Sequence, residues 1–340
     1  MNRINKTAMK TTNTHLSPPS TVVVASLQAS SDLGSVEANT AKFTALAIEA
    51  ANKGAKILVL PETAITGYLS QDLKTNWITP ERKALGLKKF RGELDPATAA
   101  QPKDGPIVQH FCDLAKKLGV YITVPFLEVA ERAIEASEEE EREEEEQPRL
   151  ERVYYNSVSL AAPSGEVVAH YRKNSPWPTP EQSWATAGNE VAYADTEYGR
   201  VGLAICFDIH SVLVKYDRFR LWALLYPIAW VGKPKEWFHN KLPSLLKQCN
   251  VPHYIIGCNW STDKAYVWPG AGFSTHYGPK GEILATTSDS VWSTIVYSTL
   301  PVHTSRSDER PEASNGRLNL DKYASWTRTG GEQAKEWRWF

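Results

Sequence analysis

Ile57-Leu58-Val59-Leu60 runs without a polar residue and is followed at once by Pro61-Glu62. Apolar positions without alternation predict a strand covered on both faces, the pattern of a parallel strand inside an α/β sheet. Pro61 cannot donate to a ladder, so the strand stops there and Glu62 falls just beyond its carboxyl end. Upstream, Thr21-Val22-Val23-Val24-Ala25-Ser26-Leu27 is a second short β-branched run. Between them, Phe43, Leu46, Ala47, Ala50 and Ala51 recur at helical spacing over residues 38–53, and Gly54 closes the helix. Downstream, Asp104-Gly105-Pro106 opens a helix with a face of Ile107, Phe111, Leu114, Ala115 and Leu118. Gly119 ends it before a strand from Val120 to Phe126.

The second half repeats the alternation. Tyr154 to Leu160 and Val167 to Tyr171 flank the turn Pro163-Ser164-Gly165-Glu166, and Lys173 lies just past this hairpin. Arg200-Val201-Gly202-Leu203-Ala204-Ile205 ends at Cys206, and further runs cover Leu221 to Ile228, His253 to Cys258 and Val291 to Leu300. A helix carrying Trp237, Leu242, Leu245 and Leu246 falls between two of them. Strands interleaved with helices, many too apolar for one-sided exposure, predict an α/β sandwich with helices outside.

The 340 residues are 42% hydrophobic and 23% charged, enough apolar content for a packed core. The net charge of −1 supplies no basic excess for phosphate contacts, so no nucleic-acid partner is expected. Charge is unevenly spread: residues 128–151 hold twelve Glu against three Arg, leaving the rest at +8. The run 138–146 therefore reads as an exposed acidic insertion, bounded at 129–152. No segment approaches the ~20 apolar residues that would span a bilayer. Residues 1–20 carry Arg3, Lys6 and Lys10 with no acid or apolar run, and read as a disordered tail, with a transit peptide as the alternative. Cys112, Cys206, Cys249 and Cys258 form no paired metal spacing, and so few cysteines suit a reducing cytoplasm. The body is expected over 21–300. Residues 301–340 end in Trp337-Arg338-Trp339-Phe340, too aromatic for a free tail, and are expected to pack on the body or a neighbouring subunit.

Glu62, Lys173 and Cys206 share one situation: each follows a predicted strand at its carboxyl end, the edge where α/β sheets bind ligands. An acid, an amine and a thiol gathered there form a base, a cationic stabiliser and a nucleophile. On pattern alone the alternatives stay open. A strand-end cysteine is more often packing than nucleophile, Glu62 could cap a helix, and Lys173 could be a surface lysine.

Taken in order, three stretches resemble the signature motifs of the nitrilase (carbon–nitrogen hydrolase) superfamily. They are Leu58-Val59-Leu60-Pro61-Glu62 with Gly67-Tyr68, Tyr171-Arg172-Lys173, and Gly199-Arg200-Val201-Gly202-Leu203-Ala204-Ile205-Cys206-Phe207-Asp208. Tyr155-Asn156-Ser157 and Gly272-Phe273-Ser274 also sit as they do in the family. The resemblance implies a four-layer α-β-β-α sandwich and a Glu62-Lys173-Cys206 triad acting without metal or organic cofactor. It implies that Glu181, eight residues after Lys173, is the second glutamate many members place beside the triad, and that Glu128, at the close of a strand, is another pocket glutamate. The Phe207 N–H would complete an oxyanion site. Cys206-Phe207-Asp208-Ile209 is similar to the vanin and biotinidase branch, whereas the family's lysine motif usually continues with His where this chain has Asn174-Ser175-Pro176-Trp177-Pro178. Tyr68, Trp177 and Trp230 are expected to line the substrate pocket, with Trp77, Trp184 and Trp260 nearby.

The expected activity is hydrolysis of a carboxamide to acid plus ammonia or amine through a thioester on Cys206. A nitrilase using the same triad and an inactive binding or assembly module are the alternatives. The partner is then a small-molecule amide or nitrile, and the resemblance implies a homodimer or larger homo-oligomer. The absence of Gly-x-Ser-x-Gly disfavours a serine hydrolase.

Overall fold

The unalternating run around Val59 needs cover on two sides, and it receives it. In a computed structural model, which describes residues 20–69, 96–133, 150–178, 181–182, 184–230, 234–261, 270–288, 293–302 and 318–327, β1 (Thr21–Gln28), β2 (Ala55–Val59) and β3 (Tyr121–Ala133) run parallel. β4 (Leu150–Ala161), β5 (Val167–Arg172), β6 (Tyr193–Thr196), β7 (Gly199–Leu203), β8 (Ala223–Pro227) and β9 (Tyr254–Cys258) follow along the chain. They are completed by β10 (Thr275–Tyr277), β11 (Ile283–Thr286) and β12 (Thr294–Pro301). Two six-stranded sheets result, in the orders β12-β1-β2-β3-β4-β5 and β11-β10-β9-β8-β7-β6.

Alternation along β2 divides its side chains. Ile57 and Val59 face the second sheet, packing with Leu203, Ile205, Leu225 and Ile256. Leu58 faces the other way, against Phe43, Ala47, Phe111 and Ala115. Those four come from α1 (Val36–Asn52) and α2 (Pro106–Leu118), which form the outer layer of the first sheet. α2 begins after Gly105 with Pro106 in its first turn and ends on Gly119 in the left-handed conformation, the asymmetry expected for Pro and Gly at helix ends. The outer layer of the second sheet is α3 (Leu213–Tyr216), a π-helical stretch Glu236–Lys241 running into α4 (Leu242–Gln248), and a helix α5 over 320–327. Tyr216, Phe238, Leu246, Tyr323 and Trp326 bury there with Leu224 and Tyr226. The four layers are α-β-β-α.

Two strands are longer than their apolar runs. β3 and β4 pair antiparallel from Ile122↔Ala161 to Ala133↔Leu150, so the hairpin extends into the acidic segment. Beyond Glu128 the ladder hydrogen bonds persist while burial falls away, and apolar residues give way to polar ones after Leu127, which is why the hydrophobic pattern ends early. Residues 1–19, the run 138–146, Trp77 and Trp337 to Phe340 lie outside the described residues. Among the described residues, no helix is long and apolar enough to cross a membrane.

Candidate active site

Strand direction assembles the site. β4 is antiparallel to both β3 and β5, so β5 points the same way as β2 and β3. Their carboxyl ends share one edge, and the parallel strands β7, β8 and β9 supply the facing edge. Glu62 follows β2, Lys173 follows β5 and Cys206 follows β7.

Glu62, Lys173 and Glu181 are all buried. Lys173 Nζ donates to Glu62 Oε1 at 2.6 Å and pairs with Glu181 Oε2 at 2.7 Å. Asn156 Nδ2, from β4, donates to Glu62 Oε1 at 2.7 Å and to Glu181 Oε1 at 2.8 Å. Tyr68 OH donates to Glu181 Oε1 at 2.9 Å and the Trp177 N–H to its Oε2 at 2.6 Å. Glu181 is therefore held on both oxygens. Glu62 is held on one: its Oε2 is buried without a hydrogen-bond partner. The backbone of Lys173 is clamped as well, donating to Asn156 C=O at 2.8 Å and accepting from Gly188 N–H at 2.8 Å. A Cβ at Gly188 would lie 2.3 Å from the Arg172 carbonyl oxygen, so only glycine permits this approach.

Cys206 adopts φ +42°, a left-handed conformation uncommon for a residue with a side chain. It opens the five-residue 3₁₀ turn Cys206–His210 at the end of an extended segment. Such a turn leaves its first N–H groups, Phe207 among them, without intrahelical acceptors. Four hydrogen bonds hold the strained bend. Tyr226 OH donates to Cys206 C=O at 2.6 Å. Asp208 Oδ2 accepts from Ile205 N–H at 3.0 Å and Tyr171 OH at 2.8 Å, and its Oδ1 accepts from Ser175 N–H at 2.7 Å. Asp208 thus ties the cysteine segment to the chain on either side of Lys173. Across the site, Trp260 Nε1 donates to Glu62 C=O at 2.7 Å, and Thr63 takes φ +48°.

Burial sets the proton affinities. It raises Glu62 to about 7, against the opposing pull of Lys173 and with the help of Glu181. It would raise Glu181 too, but the Lys173 ammonium and the Trp177 N–H hold that carboxyl below its ordinary range. Burial works against the charge on Lys173, yet Glu181 and Glu62 more than offset it and keep the ammonium protonated. Cys206 is part-exposed as a residue, but its sulfur is enclosed; burial and the Glu62 charge push the thiol well up, while Lys173 and the Ala229 N–H favour the thiolate. The resting pair is a neutral thiol beside a carboxyl poised near neutrality.

The structure brings Glu62, Lys173, Cys206 and Glu181 together, with Tyr68 and Trp177 against Ala229 and Trp260 beside them. It does not bring Glu128. That residue lies mid-strand opposite Tyr155, because β3 continues past it. Neighbouring residues of a strand face opposite ways, so Asn156 and Lys173 serve the inner side of the hairpin while Glu128, Ser157, His170 and Arg172 meet on its helix-covered side. Burial there is outweighed by the His170, Arg172 and Ser157 hydrogen bonds, which lower Glu128 to about 2. Trp230 is absent from the cluster of Tyr68, Trp177 and Trp260; its ring stacks on Trp237 at 4.7 Å, in a cluster against which Cys206 packs. Asn156 and Asp208 sat within the quoted motifs, but nothing in their spacing assigned them partners. Trp260 as a brace of Glu62, and Tyr226 as a brace of Cys206, had no signal in the chain.

Comparison with known proteins fits this geometry. The family model for carbon–nitrogen hydrolases matches residues 23–310. The chain is 23% identical over 287 residues to Nitrilase 1 of Arabidopsis thaliana, covering 79% of this chain and 76% of that protein. It is 26% identical over 251 residues to the chloroplastic omega-amidase of the same plant, covering 70% of this chain and 57% of that protein. The crystal structure of Saccharomyces cerevisiae Nit3, a member of the nitrilase superfamily, superposes with a TM-score of 0.59 at 20% identity, over 83% of this chain and 90% of that one. With a family match over most of its length and the fold of that superfamily, the chain belongs to the carbon–nitrogen hydrolases.

Proposed function

We propose that the protein hydrolyses a small carboxamide to its acid and ammonia or an amine, through a thioester on Cys206. The observation that carries this reading is the unpartnered, buried Oε2 of Glu62, on a carboxyl raised to about 7 and anchored through its other oxygen by Lys173 and Asn156. Such a group accepts and returns a proton near neutral pH.

Glu62 takes the Cys206 proton as the sulfur attacks the carbonyl carbon. The C–S bond forms and the C=O π pair moves to oxygen. Lys173 and the Phe207 N–H stabilise that oxyanion; one such donor is typically worth about 10²–10³ in rate. The C–N bond breaks as Glu62 passes its proton to the departing nitrogen. Water then adds to the thioester, again giving a proton to Glu62. The C–S bond breaks, the acid leaves, and the sulfur recovers its proton. Glu181, with its charge secured by Lys173, Tyr68 and Trp177, orients the ammonium. Tyr68, Trp177 and Trp260 supply an aromatic wall for an apolar acyl group.

Nitrile hydrolysis with the same groups is the second reading, supported by the similarity to Nitrilase 1. The amide is placed first on the similarity to the chloroplastic omega-amidase and on the stretch Cys206-Phe207-Asp208-Ile209, which resembles the amide-hydrolysing vanin and biotinidase branch. A panel of matched amides and nitriles, followed by intact mass, tests both: faster amide turnover and an acyl mass on Cys206 are expected. Faster nitrile turnover selects the second reading, and no adduct with either rejects both. A homodimer or larger assembly is part of the proposal, and a monomer mass by light scattering overturns that part.

A further inference from the structure

The 3₁₀ turn that carries Cys206 is short, and turns of this type have poor hydrogen-bond geometry. A strained left-handed residue persists only where its surroundings over-determine it. Two of the groups that do so, Asp208 and Tyr226, belong to the site itself. A third comes from the far end of the chain. Tyr323 OH donates to Ile209 C=O at 3.2 Å and accepts from Leu213 N–H at 3.1 Å, bridging the 3₁₀ turn to the start of α3. The ring is 2% exposed, so neither backbone group has water as a ready substitute. Beside it, Trp326 packs edge-on against both Tyr323 and His210, at 5.4 Å each. His210 is buried between Phe207 at 4.9 Å and Trp237 at 5.3 Å. The segment is fastened at its entry: Leu318 N–H donates to Asp217 Oδ1 at 3.2 Å and Asn319 N–H to Cys249 C=O at 2.7 Å.

We infer that helix α5 is a strap on the nucleophile segment, and that Tyr323 is a positioning residue for Cys206. It acts through the backbone at Ile209 and Leu213 and touches none of Glu62, Lys173 and Cys206. This inference rests on Cys206 being the nucleophile. The segment's contribution is then geometric: it fixes how far the sulfur and the Phe207 N–H stand from Glu62 and Lys173, where a displacement of about 1 Å can cost about 10²-fold.

The test is alkylation of the full-length protein by iodoacetamide, followed by intact mass and peptide mapping. In that reaction the Sγ–C bond forms, the C–I bond breaks, iodide leaves and the thiol proton passes to Glu62. Wild-type Cys206 is expected to react ahead of Cys112, Cys249 and Cys258. Tyr323→Phe keeps the ring and removes the bridge. The rate at Cys206 should fall about tenfold, and the pH midpoint of alkylation should rise. The groups that set this midpoint, Glu62, Lys173, Glu181, Asp208, Tyr68 and Tyr226, are unchanged in the variant. Trp326→Phe should shift both readouts in the same direction, and it carries the test if Tyr323→Phe does not fold. Leu320→Asn, an exposed site on the same helix, should change neither. If wild-type Cys206 reacts first but both variants match its rate and pH midpoint, the strap is refuted and the nucleophile stands. A lowered melting temperature with an unmoved pH midpoint likewise refutes it, since only packing was lost. If wild-type Cys206 is no more reactive than the other thiols, the nucleophile assignment fails and takes the strap with it.

Discussion

Glu62 and Glu128 are both buried carboxylates beside a cation, and the same strands, β4 and β5, supply partners to each. Glu128 receives hydrogen bonds on both oxygens, from Ser157 at 2.6 Å, His170 at 3.0 Å and the Arg172 guanidinium. Glu62 receives them on one oxygen only and shares its ammonium with Glu181. The outcome is opposite: about 2 for one, about 7 for the other. Burial beside a cation does not by itself mark a reactive group. In this pair the difference is that Glu128 is bonded on both oxygens and has the Arg172 guanidinium to itself, whereas Glu62 is bonded on one and has a second carboxylate beside its ammonium.

The contrast breaks most readily on activity. Glu62→Gln should lower amide turnover by about 10³-fold or more, and Cys206→Ala should abolish it. Glu128→Gln should leave kcat within about twofold, because its partners lie across the hairpin from the sulfur. Steady-state kinetics on any responsive amide decides this, and comparable losses at both glutamates would erase the distinction.

Stability should reverse the ranking. Glu128→Gln breaks a buried ion pair and should cost about 2–3 kcal/mol in urea unfolding at pH 7. Glu62→Gln replaces a group that burial already disfavours as an anion, so at pH 8 it should cost nothing or stabilise. The pH profiles carry the sign. Glu128 is lowered in the folded state, so its contribution is present above about 4.5 and lost as pH falls toward about 2. Glu62 is raised, so its contribution is present below about 4.5 and lost as pH rises through about 7. Each glutamine variant should flatten its own window and leave the other.

In the wild type, kcat/KM should rise through about pH 7 as Glu62 loses its proton. That limb should persist in Glu128→Gln. A far smaller loss than at Glu62 is expected at Tyr68→Phe, which deletes one donor to Glu181 while Lys173, Asn156 and Trp177 remain. A loss of about threefold to tenfold in kcat is expected, matching a single hydrogen bond of about 1 kcal/mol; no loss would show that Glu181 needs no help from the phenol.

Much of the fold was readable because its signals are local. The run ending at Pro61 located β2, and the apolar stretch before Cys206 located β7, since a strand covered on both faces cannot hide its composition. Glu62, Lys173 and Cys206 stood out for the same reason: a polar side chain directly after such a strand has only the sheet edge to occupy. Glu181 was reached through its distance from Lys173 in related proteins, not through any local pattern. Glu128 was expected in the pocket and is not there. For Glu128 the error lay in the end of β3, set by ladder bonds that continue where hydrophobicity stops. A one-residue step reverses the face, and composition does not record the step.

The amino-acid order therefore placed strands between helices and three reactive residues at strand ends, by periodicity and by where a strand must stop. The four layers and the grouping of those residues as a triad came from the resemblance to a family. Only the tertiary structure decided which glutamate keeps a free oxygen, that Asn156 and Asp208 join separate segments around Lys173, and that Tyr323 reaches Ile209. Those facts depend on register between distant strands and on which donors arrive at each acceptor. They are properties of pairs of residues far apart in the chain, and a linear pattern carries no term for them.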